Sequence, residues 1–478
     1  MIEAKPISER FKEYLSTLSL SDLRTFGRFQ GVRAATQLKK EALIEEIVDV
    51  LTGKAQPVFP KTEGKPVGAP PKNFVINPEI MPTIDEIRKQ YDEDQLEKEW
   101  IMRVASGEES SEDSFDSPVY AGILELMPSG YGFLRNKNDL SSDRGAVYVH
   151  AQVIHAMQLR HGDYLSCTVR PGEKNKPAVI SNLLTVNRLP IGRYEQRPHF
   201  EALTPQYPNR KIVLSVQEGV VSLRVLDLFV PIGFGQRGLV MAPPKTGKTQ
   251  LLKEIANCIS ANYKDIVLLV ALIDVSPEEV TDFKREAGRA DILYSTFEES
   301  AEHHIHAAEL ALENAKRLTE LGKDVVLLLD SVNKLTRAYN ALSESAGKAF
   351  AAGLDASALA SAKRYFSAAR STAEAGSLTI LATALMDSES AVDGEICEAF
   401  KGTGNAEIFL SRELAEKHIF PAIDIRRSGT RKEEMLLSEK ELKAEHKIRE
   451  SGEADDSAKL IAALKKTASN EEFVSKFS

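Results

Sequence analysis

Residues 242–249 read APPKTGKT, between an apolar run, RGLVMA, and a stretch with helical spacing of apolar residues, TQLLKEIANCIS. A strand, a tight loop ending in Gly-Lys-Thr and a helix form the arrangement in which backbone N–H groups at a helix N-terminus cradle phosphate. In that chemistry the amides around Gly247 face phosphate oxygens, Lys248 reaches the β- and γ-groups, and the Thr249 hydroxyl binds Mg2+. Ala242 stands where such loops usually begin with glycine, and Pro243 and Pro244 stiffen the turn instead. A second apolar run, DVVLLLD, ends in Asp330, placed to hold the same ion through water. A lysine before a helix or an aspartate at a strand end says little alone; the two together point to a nucleoside triphosphate.

NKLT at 333–336 shares two of the three fixed positions of the guanine-reading NKxD motif, but it ends in Thr336 and follows directly on the Asp330 strand, so ATP is the expected nucleotide. HHIH (His303, His304, His306) lacks an acidic third ligand and reads as a solvated helix face rather than a zinc site. Cys167, Cys258 and Cys397 have neither metal nor disulfide spacing, and read as reduced and structural.

The elements that must position these groups follow from composition and periodicity. A chain of 478 residues, 42% apolar and 27% charged, holds two or three soluble domains. No apolar run is long enough to span a bilayer, and MIEAKPISERFKEYL has no cationic segment followed by an apolar one, so a cytoplasmic protein without a membrane partner is expected. A net charge of −9 gives no global basic field, so any nucleic-acid site must be local.

Residues 1–53 read as an N-terminal helical unit, with Ser21 and Asp22 opening one helix and KKEALIEEIVDVLTG forming another. Residues 54–117 read as an insertion or flexible linker: one part rich in Pro, Gly and Lys, one acidic and serine-rich, and a charged helix carrying Trp100 between them. Over 118–190, short alternating runs (VYAGILELM, YGFLR, GAVYVH, DYLSCTVR) predict a small β-barrel. From 191 to 478, strands apolar throughout (RGLVMA, DIVLLVALID, DVVLLLD, SLTILATAL, AEIFLS) alternate with helices, which predicts a parallel α/β domain.

In order along the chain, VLDLFVPIGFGQRGLVMAPPKTGKT, STFEES, LLLDSVNKLTRAYN, LDASAL, GSLTILATAL and FKGTGNAEIFLSRELAEKHIFPAIDIRRSGTRKEE resemble the transcription termination factor Rho family. The likeness covers the C-terminal two-thirds and continues more weakly through the barrel and the first helices. It implies an OB- or cold-shock-like RNA-binding barrel joined to a RecA-like P-loop ATPase motor. It also implies a homo-hexameric ring using ATP and Mg2+ as a single-stranded RNA translocase and helicase, with nascent RNA and RNA polymerase as partners.

By the same resemblance, Pro243, Pro244, Lys245, Thr246, Gly247, Lys248, Thr249 and Gln250 hold the nucleotide, and Phe420 packs on its adenine. Lys245, Lys248, Asp330 and Arg431 are catalytic, Arg431 as a finger reaching a neighbouring subunit's γ-phosphate; Thr249 and Asp330 are the metal residues. Tyr131, Phe133 and Tyr148 stack bases and Arg135 meets phosphate, although spacing alone leaves open whether these rings face outward or fill the barrel. Lys348 and Lys401 belong to the central-pore loops and touch RNA backbone.

Two departures from the family bear on hydrolysis. Val275 and Ser276 follow Asp274 where the family has a glutamate, which activates water, and an arginine, and His418 replaces an arginine near the γ-phosphate. Two readings therefore stay open: an ATP-driven ring with slow turnover, or a paralogue that binds ATP and RNA without turnover as an assembly or regulatory module. A monomeric nucleotide kinase is set aside by the barrel, the finger and the pore loops.

Overall fold

The computed structural model describes residues 6–58, 80–89, 91, 119–136, 146–172, 177–191, 197–215, 220–343, 353–388 and 390–477. Lys348, Trp100 and the acidic serine-rich stretch lie outside them. The chain divides into two compact units, Met1–Arg103 and Val104–Ser478.

The first unit holds α1 (Ile7–Thr17), α2 (Leu20–Phe29), α3 (Lys40–Leu51) and α4 (80–89). Helix α2 starts at Leu20, slightly earlier than Ser21 and Asp22 suggest, because the Ser19 hydroxyl accepts the Asp22 N–H at 3.1 Å and caps it. Phe11, Leu15, Leu23, Phe26, Leu43 and Ile47 form the core, and Ile80 and Ile84 of α4 are buried with them. The segment that reads as a linker thus contributes a helix to this core.

The second unit opens with a barrel of β1 (Val119–Leu126), β2 (Gly132–Arg135), β3 (Val147–Val149), β4 (Tyr164–Arg170), β5 (Ala178–Val186) and β6 (Leu189–Pro190), with α5 (Ala151–Ala156) after β3. The order β3-β2-β1-β4-β5-β6 closes through a parallel β3–β5 pairing.

There follow β7 (Pro205–Gln206), α6 (Val221–Phe229), β8 (Arg237–Ala242), α7 (Lys248–Asn262), β9 (Val267–Val275), α8 (Pro277–Glu286), β10 (Asp291–Thr296), α9 (Ala301–Glu320), β11 (Asp324–Asp330), α10 (Val332–Leu342), α11 (Ala356–Ser367), β12 (Arg370–Thr372), β13 (Ser377–Leu385), α12 (Ala391–Phe400), β14 (Ala406–Leu410), α13 (Arg412–Glu416), β15 (Ile423–Thr430), α14 (Glu439–Glu450), α15 (Ser457–Leu464) and α16 (Asn470–Ser475). The sheet runs β10-β9-β11-β13-β8-β14-β15, parallel until the antiparallel β14–β15 pair.

The apolar runs explain this geometry. Val240, Val270 and Leu328 belong to the core on one face of the sheet, whereas their neighbours Leu239, Leu269 and Leu327 belong to the core on the other. Alternate residues of a strand point to opposite faces, so strands covered on both must be apolar at every position. Each such side chain contributes about 1.5–3 kcal/mol by burial.

Barrel and α/β domain are clamped by buried charge. Arg197 sits 2.5 Å from Asp163 in the barrel and 2.7 Å from Glu320 at the end of α9, and Arg160 reaches the same glutamate at 3.0 Å. Asn314 of α9 donates to Gly162 O at 2.8 Å. Gly162 has φ +91°, and a Cβ there would lie 2.5 Å from the Glu313 carbonyl carbon, so only glycine allows this approach.

Candidate functional site

The phosphate loop joins β8 to α7. Lys245 (φ 63°) and Gly247 (φ 90°) adopt left-handed conformations, the backbone form that recurs in loops whose N–H groups line an anion-binding concavity. Ala242 is the last residue of β8, wholly buried and paired with Leu385 of β13, so its position asks for a strand residue rather than glycine. The Thr246 hydroxyl donates to Pro243 O at 2.7 Å and closes the turn. Pro244 and Lys245 line the loop's outer side with Arg412 and Asp387.

Asp330, at the end of β11, is the hub. Its Oδ1 accepts from Lys248 Nζ at 2.6 Å and Thr383 Oγ1 at 2.8 Å, and its Oδ2 from Thr249 Oγ1 at 3.1 Å. Burial pushes the Asp330 carboxyl up, but the Lys248 charge and the bonds from Lys248 and Thr383 outweigh it, leaving its pKa below the ordinary value. The group is therefore an anion at neutral pH. The Thr249 hydroxyl and Asp330 carboxylate are the oxygen donors that Mg2+ takes, so this pair fits the ion.

Beside it, Lys334 of α10 donates to Asp274 O at 2.5 Å, and burial lowers its pKa. Asp274 has φ 54°. Val275 is a strand residue only 3% exposed, packed into the core, and offers no group to water. The Ser276 hydroxyl accepts the Glu279 N–H at 3.2 Å and caps α8, while Glu278 and Glu279 stand exposed in that helix's first turn.

Phe420, 44% exposed, flanks a cavity of about 460 Å3 lined by Val221, Thr246, Gly247, Gln250, Pro421 and Ile423. That size suits a nucleotide base and sugar. Ser222 hydrogen-bonds Glu254 at its inner end, and Gln250 donates to the same carboxylate at 3.3 Å.

Arg431 follows β15 and donates to Gly402 O at 3.0 Å; among the described residues no hydrogen bond or ion pair joins it to Lys248, Thr249 or Asp330. His418 is exposed at φ 55° after α13. Lys401 is exposed at the end of α12, 3.5 Å from Glu398.

On the barrel, Gly132, Leu134, Val147 and Val149 are buried, and Tyr131, Phe133 and Tyr148 between them are partly exposed. The three rings therefore lie on the outer face, 5.4–5.9 Å apart, with Phe133 and Tyr148 paired across β2 and β3. Arg135 lies 5.6 Å from the Phe133 ring centroid. Its side chain is only 11% exposed and pairs with Glu125 at 2.6 Å.

The histidines of α9 form neither a metal cluster nor a fully solvated face. His304 Nδ1 meets Ser295 Oγ at 2.9 Å, and His306 Nε2 lies 3.0 Å from Glu125 Oε1 in the barrel. Cys167 and Cys258 are buried free thiols, and burial pushes that of Cys167 up to about 12.

Sequence reasoning missed Thr383 and Glu125 and saw Lys334 only within NKLT. Thr383 sits inside the apolar run SLTILATAL, and only the β11–β13 register brings it to Asp330.

Residues 120–191 match the Rho termination factor, RNA-binding domain, and residues 222–430 match the ATP synthase alpha/beta family, nucleotide-binding domain. Fold and site thus define an RNA-binding P-loop ATPase. The chain is 47% identical over 380 residues to transcription termination factor Rho of Bacillus subtilis, covering 79% of this chain and 88% of that one. To the Rho of Escherichia coli K12 it is 45% identical over 376 residues, covering 76% and 88%. The chain belongs to the transcription termination factor Rho family. The assembled ATPase EscN of the enteropathogenic E. coli type III secretion system shares the fold, with a TM-score of 0.50 and 24% identity over 64% of this chain and 78% of that one. No described helix is long and apolar enough to cross a membrane.

Proposed function

We propose that the chain is a Rho-like termination factor: a cytoplasmic homo-hexamer that binds Mg-ATP at each phosphate loop and moves along single-stranded nascent RNA behind RNA polymerase. The observation that carries this is the Lys248–Asp330–Thr249 group, on the same compact unit as the outward-facing Tyr131, Phe133 and Tyr148.

Lys248, Lys245 and the loop amides hold the triphosphate, and Gln250 and Phe420 border the base. Mg2+, when bound, neutralises charge on the phosphate oxygens. Thr383 and Lys248 keep Asp330 ionised and oriented. Arg431, which bonds Gly402 O and makes no hydrogen bond or ion pair to its own chain's Lys248 among the described residues, acts on a neighbour's nucleotide, which makes a ring necessary for turnover. Lys348 and Lys401 contact RNA inside that ring.

With Val275 buried and apolar, no side chain at that position activates water, and turnover is slow while nucleotide binding is intact. Phosphate release measured with and without pyrimidine-rich RNA tests the reading. RNA stimulation of a slow basal rate is expected; ATP binding with no release at any RNA concentration would leave a binding module instead.

A further inference from the structure

Away from both sites, Glu433, Glu445 and His446 bring two carboxylates and an imidazole together, their ligand atoms all within 4.8 Å of one another, the one such group among the described residues. Glu433 opens the turn after β15, two residues beyond Arg431, and Glu445 and His446 are adjacent on α14. His446 Nε2 lies 3.6 Å from Glu433 Oε1 and 3.8 Å from Glu445 Oε2.

An independent observation makes this more than a surface cluster. The Glu445 side chain is 1% exposed, and its Oε2 has no hydrogen-bond partner. Its other oxygen is taken by Arg449 Nε, and the rest of that guanidinium is spent on the carbonyls of Phe229, Ile425, Arg426 and Ser428. A buried carboxylate oxygen left without a donor is costly and calls for an ion or a water. This one is aimed at His446.

We propose that Glu433, Glu445 and His446 form a divalent-cation site, best suited to Zn2+, beneath the Arg431 segment. Two ligands on a tetrahedral zinc stand about 3.4 Å apart, within a few tenths of an ångström of the distances from His446 to each carboxylate. The imidazole favours zinc over Mg2+ in a set otherwise of hard oxygens. Arg449 holds Glu445 as hydrogen-bonded neighbours hold metal-ligating carboxylates. His446, 54% exposed, leaves the fourth position open to water and gives the ion a way in. A bound ion would tie the turn carrying Arg431 to α14.

The test is zinc titration of the full chain against a chromophoric chelator, without nucleotide and with excess Mg2+. One zinc per chain is expected. Affinity should fall at least about tenfold in His446→Ala, an exposed change that leaves the fold intact, and in Glu445→Gln. X-ray absorption of the zinc-loaded protein should report oxygen and imidazole ligands. Undiminished binding in His446→Ala, sulfur ligation, or no uptake by the unmodified chain would each overturn the site.

Discussion

Glu125 Oε1 in the barrel lies 3.0 Å from His306 Nε2 on α9. The other oxygen of Glu125 holds Arg135, beside the outward-facing rings. Two residues earlier on α9, His304 bonds Ser295 and stands 3.9 Å from Asp274, whose carbonyl Lys334 grips next to Asp330. One helix therefore touches both the barrel carboxylate that holds Arg135 and the Asp274–Lys334 pair beside Asp330.

The first prediction concerns pH. Burial raises the Glu125 pKa, but hydrogen bonds and charge from His306 and Arg135 more than reverse this, bringing it from 4.5 to about 2. A group whose folded pKa is depressed contributes stability fully present above its unfolded pKa and lost as pH falls towards the folded one. Urea unfolding at about pH 5 and about pH 3 should show the natural chain losing up to about 2 kcal/mol more than Glu125→Gln. Equal losses would mean the carboxylate is not so held.

Lys248→Ala should abolish ATP binding in calorimetry and leave single-stranded RNA affinity unchanged, because the barrel does not share the phosphate loop. Thr383→Val removes one of the two donors to Asp330 Oδ1. A hydrogen bond to a charged group contributes about 1.5–3 kcal/mol, so Mg-ATP affinity should fall about tenfold. Unchanged affinity in Thr383→Val would make it a packing residue only.

Tyr131→Ala combined with Phe133→Ala should weaken RNA binding by about 1–3 kcal/mol per lost stack and barely change thermal stability, since the core of β2 is Gly132 and Leu134. Leu134→Ala should do the reverse, costing about 2–5 kcal/mol of stability. Loss of stability without loss of RNA affinity in the double variant would place the rings in a structural role.

What could be read from the sequence was local. The phosphate loop, the Asp330 strand and the fully apolar parallel strands announce themselves because each rests on a short pattern with one physical cause. Alternation in YGFLR and VYV left two faces to choose between, and the burial of Leu134 and Val149 chooses. Contacts between distant segments left no mark: Glu125 and His306 are 181 positions apart and Thr383 and Asp330 53, and no periodicity links them. Arg135, expected to meet phosphate, also pairs with Glu125, a neighbour supplied by strand pairing rather than by sequence order.

The last prediction concerns Val275. The hypothesis is that Lys248, Thr249, Asp330 and the trans-acting Arg431 bind and polarise Mg-ATP while nothing activates water, so Val275→Glu should accelerate RNA-stimulated hydrolysis. A positioned general base contributes about 10² to 10⁴ in rate. The structure argues for the lower end: Val275 is 3% exposed and packed in the core, so a carboxylate must pull its strand end towards solvent. Ser276 remains free to cap α8 in that variant, whereas a further Ser276→Arg would remove the cap at about 1 kcal/mol, so the single change is the cleaner test. Glu278 and Glu279, exposed one turn away, are the rival source of a base. Steady-state phosphate release with saturating ATP and RNA separates the two. A slow natural chain sped up about tenfold or more by Val275→Glu supports a vacated position; fast turnover indifferent to Val275→Glu but abolished by Glu278→Gln would show that the base has moved into the first turn of α8.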